Sequence, residues 1–329
     1  MIRNWLRILY IKVAPWNSNQ WSVFGKTMDD SKKPKIEISG NKYLSPIKDN
    51  FSVKIYNLPY SEIALIQMQK KFHIQIFAGY LGDQNYESFE GKKIFDGGII
   101  NIVNEKRNYK DNVVTFICAN QLVARAQEWR CNISFNSGIN MYSAIKYISK
   151  QAGLTNINIS DYYKNKYLIE ASSAKGTAAS YLDKISSTDN TFFMNGDPSD
   201  GGQINFYSSI RGGMKKIMID PNKGMMVGNA PELTSNGLNW ISLPVYNYHP
   251  GDLCCIDNSY INTSSGMDSF SGTLKTPNTV YLNQEGLYYI FDLAYSLSNT
   301  NGDFAIAIHA KSKNLFDNVT GYTGAASNG

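Results

Sequence analysis

The chain has 329 residues and a formal net charge of +5 at pH 7. At about 150 residues per domain, this length predicts roughly two domains with a sizeable core. Hydrophobic residues make up 43% and charged residues 18%, which excludes a disordered polyelectrolyte and an integral membrane protein. The charge is mild and no dense Lys/Arg run occurs, so charge alone does not indicate nucleic-acid binding. The aromatic content of 13% favours β-sheet.

The cysteines and the N-terminal region predict the cellular compartment. None of the cysteines forms a C-x-x-C pair, so neither a disulfide framework nor a zinc site is expected. We expect reduced, buried thiols at Cys118, Cys131, Cys254 and Cys255. Arg3, Arg7 and Lys12 interrupt the first apolar run, which argues against a signal peptide. The sequence therefore predicts a soluble protein made in a reducing compartment.

The first region, residues 1–126, is predicted to be a β unit. Alternating apolar and polar residues indicate strands with one buried face. The predicted strands are Leu6–Val13, Lys35–Ser39, Phe51–Tyr56, His73–Tyr80, Lys93–Val103 and Asn112–Ala119. Residues 17–35 are predicted to be a loop or long hairpin connection. Gly97-Gly98 predicts a bulge, and Ser61 is a candidate cap for a short helix.

The middle region, residues 127–212, is predicted to be a small α+β domain. Ala144, Ile145 and Ile148 form an apolar stripe on a helix over Asn140–Ala152, which Asn140 would cap. A second helix is predicted near Thr177–Ser186. A hairpin is expected to turn at Asn195-Gly196-Asp197-Pro198.

The last region, residues 213–329, returns to β-structure. The predicted strands are Leu238–Tyr246, Leu253–Asp257, Leu287–Leu297 and Asp303–Lys311. Asn299–Gly302 is expected to be the final hairpin loop. Asn258–Pro277 is predicted to be a long loop, and Asn318–Gly329 a frayed tail.

Sequence patterns that resemble active sites are weak. The three histidines lack the spacing of a shared metal site. Gly25-Lys26-Thr27 resembles the end of a phosphate-binding loop, but Gln20 stands where the first glycine is needed. Ser-x-x-Lys recurs without its companion motifs, which predicts chance matches on solvated surface. These matches are Ser45 to Lys48, Ser143 to Lys146 and Ser172 to Lys175.

Two further patterns leave an enzymatic alternative open. Asp252 with Asp257, or Glu285 with Asp292, are candidate acid pairs for glycoside cleavage, although spacing along the chain fixes no separation in space. Cys254-Cys255 is expected to fill opposite faces of a strand, with a reactive thiol as the alternative. The sequence therefore predicts no catalytic, cofactor-binding or metal-binding residues, no cofactor and no enzymatic activity.

The order of several short motifs resembles tailed-bacteriophage baseplate hub proteins of the late control protein D group. These motifs are FSVKIYNLP from Phe51, IQIFAGYLG from Ile74, IFDGGII from Ile94 and the strand Val113–Ala119. The match continues with a helix ending QAGL at Leu154, the YLDKI segment from Tyr181, and the L-P and P-G-D-L segments at Leu243 and Pro250. It extends to about Lys311.

The resemblance implies an α+β, mostly β fold with two tail-tube-like β-barrel or sandwich domains and a small α+β domain between them. It implies a homotrimer whose six tube-like domains form a pseudo-sixfold baseplate hub ring in the virion tail, assembled in the host cytoplasm. The implied partners are the tail tube protein and a spike or tail tip protein. Viral DNA would pass through the lumen without specific binding, which the modest charge permits. No membrane insertion is expected.

Two alternatives come from other functional classes. The first is a tail-associated cell-wall hydrolase, although the sequence leaves no room for a separate lysozyme or peptidase domain. The second is a receptor-binding or glycan-binding tail tip protein, which aromatic loops such as Tyr246–His249 favour.

Overall fold

Antiparallel strands dominate the part of the chain that the structure, a computed structural model, describes. The described residues are 6–15, 18, 20–27, 33–43, 49–63, 72–81, 91–107, 111–120, 130–151, 157–159, 161–178, 180–182, 192–197, 203–208, 216–234, 237–261 and 286–312. The fold in this part is α+β and mostly β, as the sequence predicted.

Eighteen strands occur in the described residues. They are β1 (Arg7–Pro15), β2 (Ser22–Phe24), β3 (Ile36–Tyr43), β4 (Asn50–Tyr56), β5 (Phe72–Tyr80), β6 (Lys92–Arg107), β7 (Asp111–Asn120), β8 (Arg130–Phe135), β9 (Ile157–Ile159), β10 (Ser172–Thr177), β11 (Phe192–Asp197), β12 (Gln203–Ser208), β13 (Lys216–Met218), β14 (Val227–Thr234), β15 (Gly237–Ser242), β16 (Leu253–Cys255), β17 (Leu287–Ser298) and β18 (Phe304–Ser312). The helices with fully described bounds are α1 (Met141–Gln151) and the 3-10 helices η1 (Asp161–Asn165), η2 (Pro221–Lys223) and η3 (Asn258–Tyr260). Residues 60–63 are also helical, so Ser61 lies inside this turn rather than at the predicted cap position.

One 13-stranded sheet contains strands from both the first and the last region. Its main path runs β14-β15-β18-β17-β3-β4-β7-β6-β5-β1-β2, and β13 and β16 branch from β17. The two regions meet where β3 pairs antiparallel with β17, for example Ile38 with Leu297. Their buried side chains form one hydrophobic cluster, which includes Val53 and Phe116 from the first region and Leu293 and Ile308 from the last.

The turn between β17 and β18 fixes the start of β3. The side-chain oxygen of Asn299 accepts a hydrogen bond from the Ile36 N–H at 2.9 Å, and its amide nitrogen donates to the Pro34 carbonyl at 2.8 Å. Asn299 is buried, so these bonds satisfy polar groups that water does not reach. The predicted final hairpin and its loop are confirmed.

The middle region forms two smaller sheets. β8 pairs antiparallel with β10, while β12 pairs antiparallel with β11 and parallel with β9. Helix α1 buries Ala144, Ile145 and Ile148, and the Ser143 N–H donates to the side-chain oxygen of Asn140 at 3.3 Å. This confirms the predicted stripe and cap.

The second helix, predicted near Thr177, is confirmed where it is described. Residues 178 and 180–182 are helical, the Thr177 hydroxyl caps this turn, and Ala178, Tyr181 and Leu182 are buried. Three other local predictions are corrected. Asn195–Asp197 continue β11, with Gly196 opposite Ile204, because strand pairing extends through the expected turn. The strand predicted over Leu238–Tyr246 ends at Ser242. Part of the loop predicted over residues 17–35 is the strand β2, which pairs with β1.

The bulges of β6 lie beside its glycines rather than at them. The pairing with β5 skips Ile94, and the pairing with β7 skips Ile100. A Cβ on Gly97 would lie 2.4 Å from the Phe95 ring, so this glycine provides room for an aromatic side chain. Most of the predicted 258–277 loop and the predicted frayed tail lie outside the described residues.

Candidate interaction surfaces

Strand β13, on the branch of the sheet, has one edge with no paired strand among the described residues. Its Lys216-Ile217-Met218 sequence alternates, so Ile217 is buried opposite Cys254 while Met218 is 63% exposed. Among the described residues, β13 pairs with β16 alone. An unpaired edge beside an exposed apolar side chain is suited to contact with another chain.

Strand β14, at one end of the main path, is less suited to further pairing. Val227 pairs with Ile241, but the next paired residue is Glu232 with Asn239, so residues 228–231 bulge away from β15. This bulge contains Pro231, which has no backbone N–H to donate. Bulges and prolines at a sheet edge limit strand addition by other chains.

The opposite end of the main path is the short strand β2, and it lies beside the start of β3. Gly25 has φ +87, and a Cβ there would lie 2.7 Å from Ile36 Cδ1 and 2.9 Å from the Leu9 carbonyl oxygen. Glycine is therefore needed for both its backbone conformation and its close approach to β3. Beyond Gly25 the two segments separate around a cleft.

This cleft, here called the β2 cleft, has a volume of about 720 Å³, within the range of small-molecule sites. One wall is formed by residues 23–27 and the other by residues 33–35, 56–59 and 62. The described lining residues include three lysines, Lys26, Lys33 and Lys35, and the carboxylate of Glu62. This site was not predicted, although Lys26, Lys33 and Lys35 lie within ten residues of one another, because residues 17–35 were expected to be a loop or long hairpin connection.

The Gly25-Lys26-Thr27 triplet, which only weakly resembles a phosphate-binding loop, lies where its lysine contacts an aromatic ring. The triplet follows the three-residue strand β2, and the Lys26 ammonium lies over the Tyr10 ring, 5.4 Å from its centroid. Phosphate-binding loops instead aim a lysine and backbone N–H groups at the same anion.

A buried polar cluster, here called the Asp96 cluster, joins β5 and β6. Asp96 is 7% exposed and accepts hydrogen bonds from His73 Nε2, from Gln75 Nε2 at 2.9 Å and from Lys93 Nζ at 3.1 Å. Burial alone would raise the pKa of Asp96, but the His73 hydrogen bond and the neighbouring positive charges lower it below its ordinary value. The Trp21 ring packs on His73 with centroids 4.9 Å apart. These contacts describe a satisfied network that ties two strands together.

The other two histidines also have aspartate partners. His249 Nδ1 lies 3.4 Å from Asp252, which accepts the His249 backbone N–H at 2.9 Å. His309 Nδ1 lies 2.6 Å from Asp292 on the neighbouring strand. Within the residues that the structure describes, no three His, Cys, Asp or Glu side chains are grouped as a metal site.

The candidate acid pairs occupy structural positions. Asp252 is buried in the turn before β16, and Asp257 caps η3 by accepting the Ser259 N–H at 2.9 Å. Asp292 pairs with His309, and Glu285 lies outside the described residues. Ser143 and Lys146 are both exposed on α1. Ser45 and Lys48, and the side chains of Ser172 and Lys175, are not among those described.

Of the described cysteines, Cys118 and Cys254 are buried as predicted, while Cys255 is only partly buried. Cys118 and Cys254 are buried, and burial raises the pKa of both thiols above the ordinary value. Cys255 is partly exposed, so the two adjacent cysteines do lie on opposite faces of β16. The side chain of Cys131 is outside the described set.

A second buried carboxylate anchors the β3–β4 connection. Asp49 accepts the Tyr43 N–H at 2.8 Å and an amide hydrogen of Asn120 at 3.4 Å. Burial raises the pKa of Asp49 to about 7, although both hydrogen bonds and the nearby Lys42 charge oppose the shift.

The described part of the chain contains no helix long and apolar enough to cross a membrane.

Comparisons with known proteins show which solved structures share this fold. No protein-family model matches the sequence, and no curated protein matches it with significant similarity. Among solved structures, a tail protein from Neisseria meningitidis MC58 has 8% identity and a TM-score of 0.55, covering 94% of this chain and 98% of that chain. The 43 kDa tail protein of prophage MuSo2 from Shewanella oneidensis has 7% identity and a TM-score of 0.53, covering 93% and 97%.

A chain of the half-lidded Francisella PdpA–VgrG complex is also similar, with 9% identity and a TM-score of 0.51. The match covers 93% of this chain but 58% of that chain. At these identities the similarity establishes the fold alone. The chain therefore has the fold of phage tail proteins, which confirms at that level the resemblance predicted from the order of its motifs.

Proposed function

We propose that the protein is a structural component of a phage virion, a baseplate hub ring that joins the tail tube to the central spike or tip. The observation that carries this proposal is the fold shared over nearly the whole chain with two tail proteins. The protein would act without catalysis and reside in the tail baseplate after assembly in the host cytoplasm.

In this proposal, residues 1–126 and 213–329 are the two tube-like domains of each subunit, and residues 127–212 form the small domain between them. Three copies would place six tube-like domains around one axis. One face of the ring would match a sixfold tail tube, and the other a threefold spike. DNA would move through the lumen without being held, which the modest net charge of +5 supports.

The exposed edge of β13 supports a contact between copies. Pairing with a neighbouring copy would satisfy its free backbone groups and bury Met218. A specific interface requires about 1,000 Å² or more of buried surface, so this edge would be the centre of a larger contact.

Native mass spectrometry of the intact chain tests the ring. We expect a trimer at three times the chain mass of 36.9 kDa. Met218→Lys should shift the protein towards monomer, while Ile169→Lys, at the 93% exposed Ile169 of the middle region, should not. A stable monomer at micromolar concentration, together with absence of the protein from purified virions, would contradict the proposal.

A further inference from the structure

We propose that Asn301-Gly302, in the turn between β17 and β18, is a site of spontaneous deamidation, at which Asn301 is converted to aspartate and isoaspartate. The inference rests on residues 286–312, all of which the structure describes, and does not depend on the proposed ring. The only reactants are the chain itself and water.

The reaction is an attack of the main chain on a neighbouring side chain. The Gly302 nitrogen bonds to Cγ of Asn301, the Cγ–Nδ2 bond breaks, and Nδ2 leaves as ammonia with the proton released from the Gly302 nitrogen. Water then opens the cyclic imide that has formed. Cleavage between the Gly302 nitrogen and Cγ gives aspartate, whereas cleavage between that nitrogen and the main-chain carbonyl carbon gives isoaspartate.

The sequence alone does not choose this site. Asn-Gly occurs at Asn195-Gly196, Asn236-Gly237, Asn301-Gly302 and Asn328-Gly329. The structure describes the backbone of the first and third pairs, and both are followed by aspartate, so their local sequences are the same Asn-Gly-Asp. A difference in reactivity between these two pairs must therefore come largely from the fold.

The turn leaves the reacting groups of Asn301-Gly302 accessible. Both residues are exposed, and Gly302 has φ +123, a conformation that glycine adopts without a steric penalty. In the described part of the chain, neither the Asn301 side chain nor the Gly302 N–H takes part in a hydrogen bond. No described hydrogen bond of these two groups has to break before the Gly302 nitrogen approaches Cγ.

The Asn195-Gly196 backbone is held differently. It lies within β11, where Asn195 pairs with Asn205 and Gly196 pairs with Ile204. The paired strand fixes an extended backbone, so it must open locally before the cyclic imide can form. The fold therefore protects this pair while it exposes Asn301-Gly302.

The modification would act on the junction between the two halves of the sheet. Isoaspartate routes the main chain through Cβ and Cγ of residue 301, which adds a backbone atom within the turn that the Ser298 N–H closes on the Asp303 carbonyl at 2.9 Å. Asn299, which accepts the Ile36 N–H at the start of β3, lies in the same turn. We therefore expect isoaspartate at position 301 to loosen the contact between Asn299 and Ile36.

Peptide mass spectrometry of the intact protein, aged in mildly alkaline buffer and then digested in acid, tests the site. Conversion is seen as a gain of one mass unit with two separable products. In the folded protein, Asn301 should convert at least about tenfold faster than Asn195, because β11 must first open. In guanidinium the two rates should become similar. An unconverted Asn301, or equal rates for the two pairs in the folded protein, would overturn the inference.

The variant Asn301→Gln separates the modification from other effects of ageing. It keeps an amide side chain, but its cyclisation requires a larger and less favourable ring, so its mass should not change. After parallel ageing, the Ile36 amide should exchange hydrogen for deuterium faster in the unaltered protein than in Asn301→Gln. Equal exchange in a sample shown to contain isoaspartate would overturn the inferred effect on β3.

Discussion

Phe51 on β4 reaches across Gly40 on β3 to contact Tyr295 on β17, with ring centroids 5.3 Å apart. Gly40 is the residue directly opposite both aromatic residues. A Cβ at Gly40 would lie 2.5 Å from Phe51 Cδ1 and 2.6 Å from the Asn50 carbonyl oxygen. The absence of a side chain at Gly40 thus permits a contact between the two halves of the sheet.

We expect Gly40→Ala to lower the free energy of unfolding by about 1–3 kcal/mol, because the added methyl group overpacks a site with no free space. Urea denaturation monitored by circular dichroism measures the change. Ser39→Ala is the control, since Ser39 is exposed on the other face of the same strand. A Gly40→Ala protein as stable as the unaltered chain would contradict the described packing.

The Asp96 cluster predicts acid sensitivity. The pKa of Asp96 is lowered in the folded state, so its contribution to stability is complete above the pKa of the unfolded chain, about 4. That contribution is lost as the pH falls through the lowered pKa. Asp96→Asn should therefore destabilise the protein at neutral pH by about 2 kcal/mol, the scale of hydrogen bonds to a charged group. It should also reduce the dependence of stability on pH below about pH 5.

Urea titrations across this acidic range measure both effects. Asp303→Asn is a useful control, because Asp303 is an exposed carboxylate directly before β18. If the free energy of unfolding depended on pH in the same way for the Asp96→Asn variant and the unaltered chain, Asp96 would not be the source of the acid sensitivity.

Asp49 predicts the opposite dependence. Its pKa is raised to about 7 in the folded state, so the unfolded chain ionises first as the pH rises. Stability should therefore decline between about pH 4 and pH 7 on account of this group, at up to about 1.4 kcal/mol per pH unit. Asp49→Asn removes the ionisation while keeping an oxygen that can accept the Tyr43 N–H.

We expect Asp49→Asn to flatten the stability curve over this interval and to be at least as stable as the unaltered chain at about pH 8. Thermal unfolding at a series of pH values is the measurement. If Asp49→Asn destabilised the protein more at high pH than at low pH, relative to the unaltered chain, the predicted sign would be contradicted.

The buried thiols predict selective labelling. Because burial raises the pKa of Cys118 and Cys254, iodoacetamide should leave both unmodified in the folded protein at about pH 8. Cys255 is partly exposed and should react slowly. Peptide mass spectrometry before and after denaturation in guanidinium measures the pattern, and rapid native labelling of Cys118 would contradict it.

Local patterns in the sequence predicted many elements because their cause is local. Phe51, Val53 and Ile55 alternate with polar residues, and β4 buries these three. The Asn299–Gly302 turn was likewise predictable, since its residues adopt turn conformations readily. The hairpin predicted around Asn195–Pro198 is confirmed, but Asn195–Asp197 are strand rather than turn, because pairing with β12 continues through Gly196.

The candidate sites depend on contacts between distant residues. Alternation predicts that β3 and β17 are strands but not that they are neighbours. Gln75 and Asp96 meet because they are directly opposite in the β5–β6 register, which a bulge at Ile94 helps to set. The close approach of Gly25 to Ile36, which brings the end of β2 beside the start of β3, is likewise a tertiary contact that residue patterns do not predict.

The pairing of β3 with β17 has a consequence for biosynthesis. Ile38 acquires its partner Leu297 only after about 260 further residues have been translated, roughly 15–50 s later at ordinary ribosomal rates. During that interval the nascent β3 lacks a neighbour on one side and is open to pairing with another polypeptide on the same message. The timing would favour release of finished subunits before assembly, and would make chaperone protection of the emerging N-terminal half valuable.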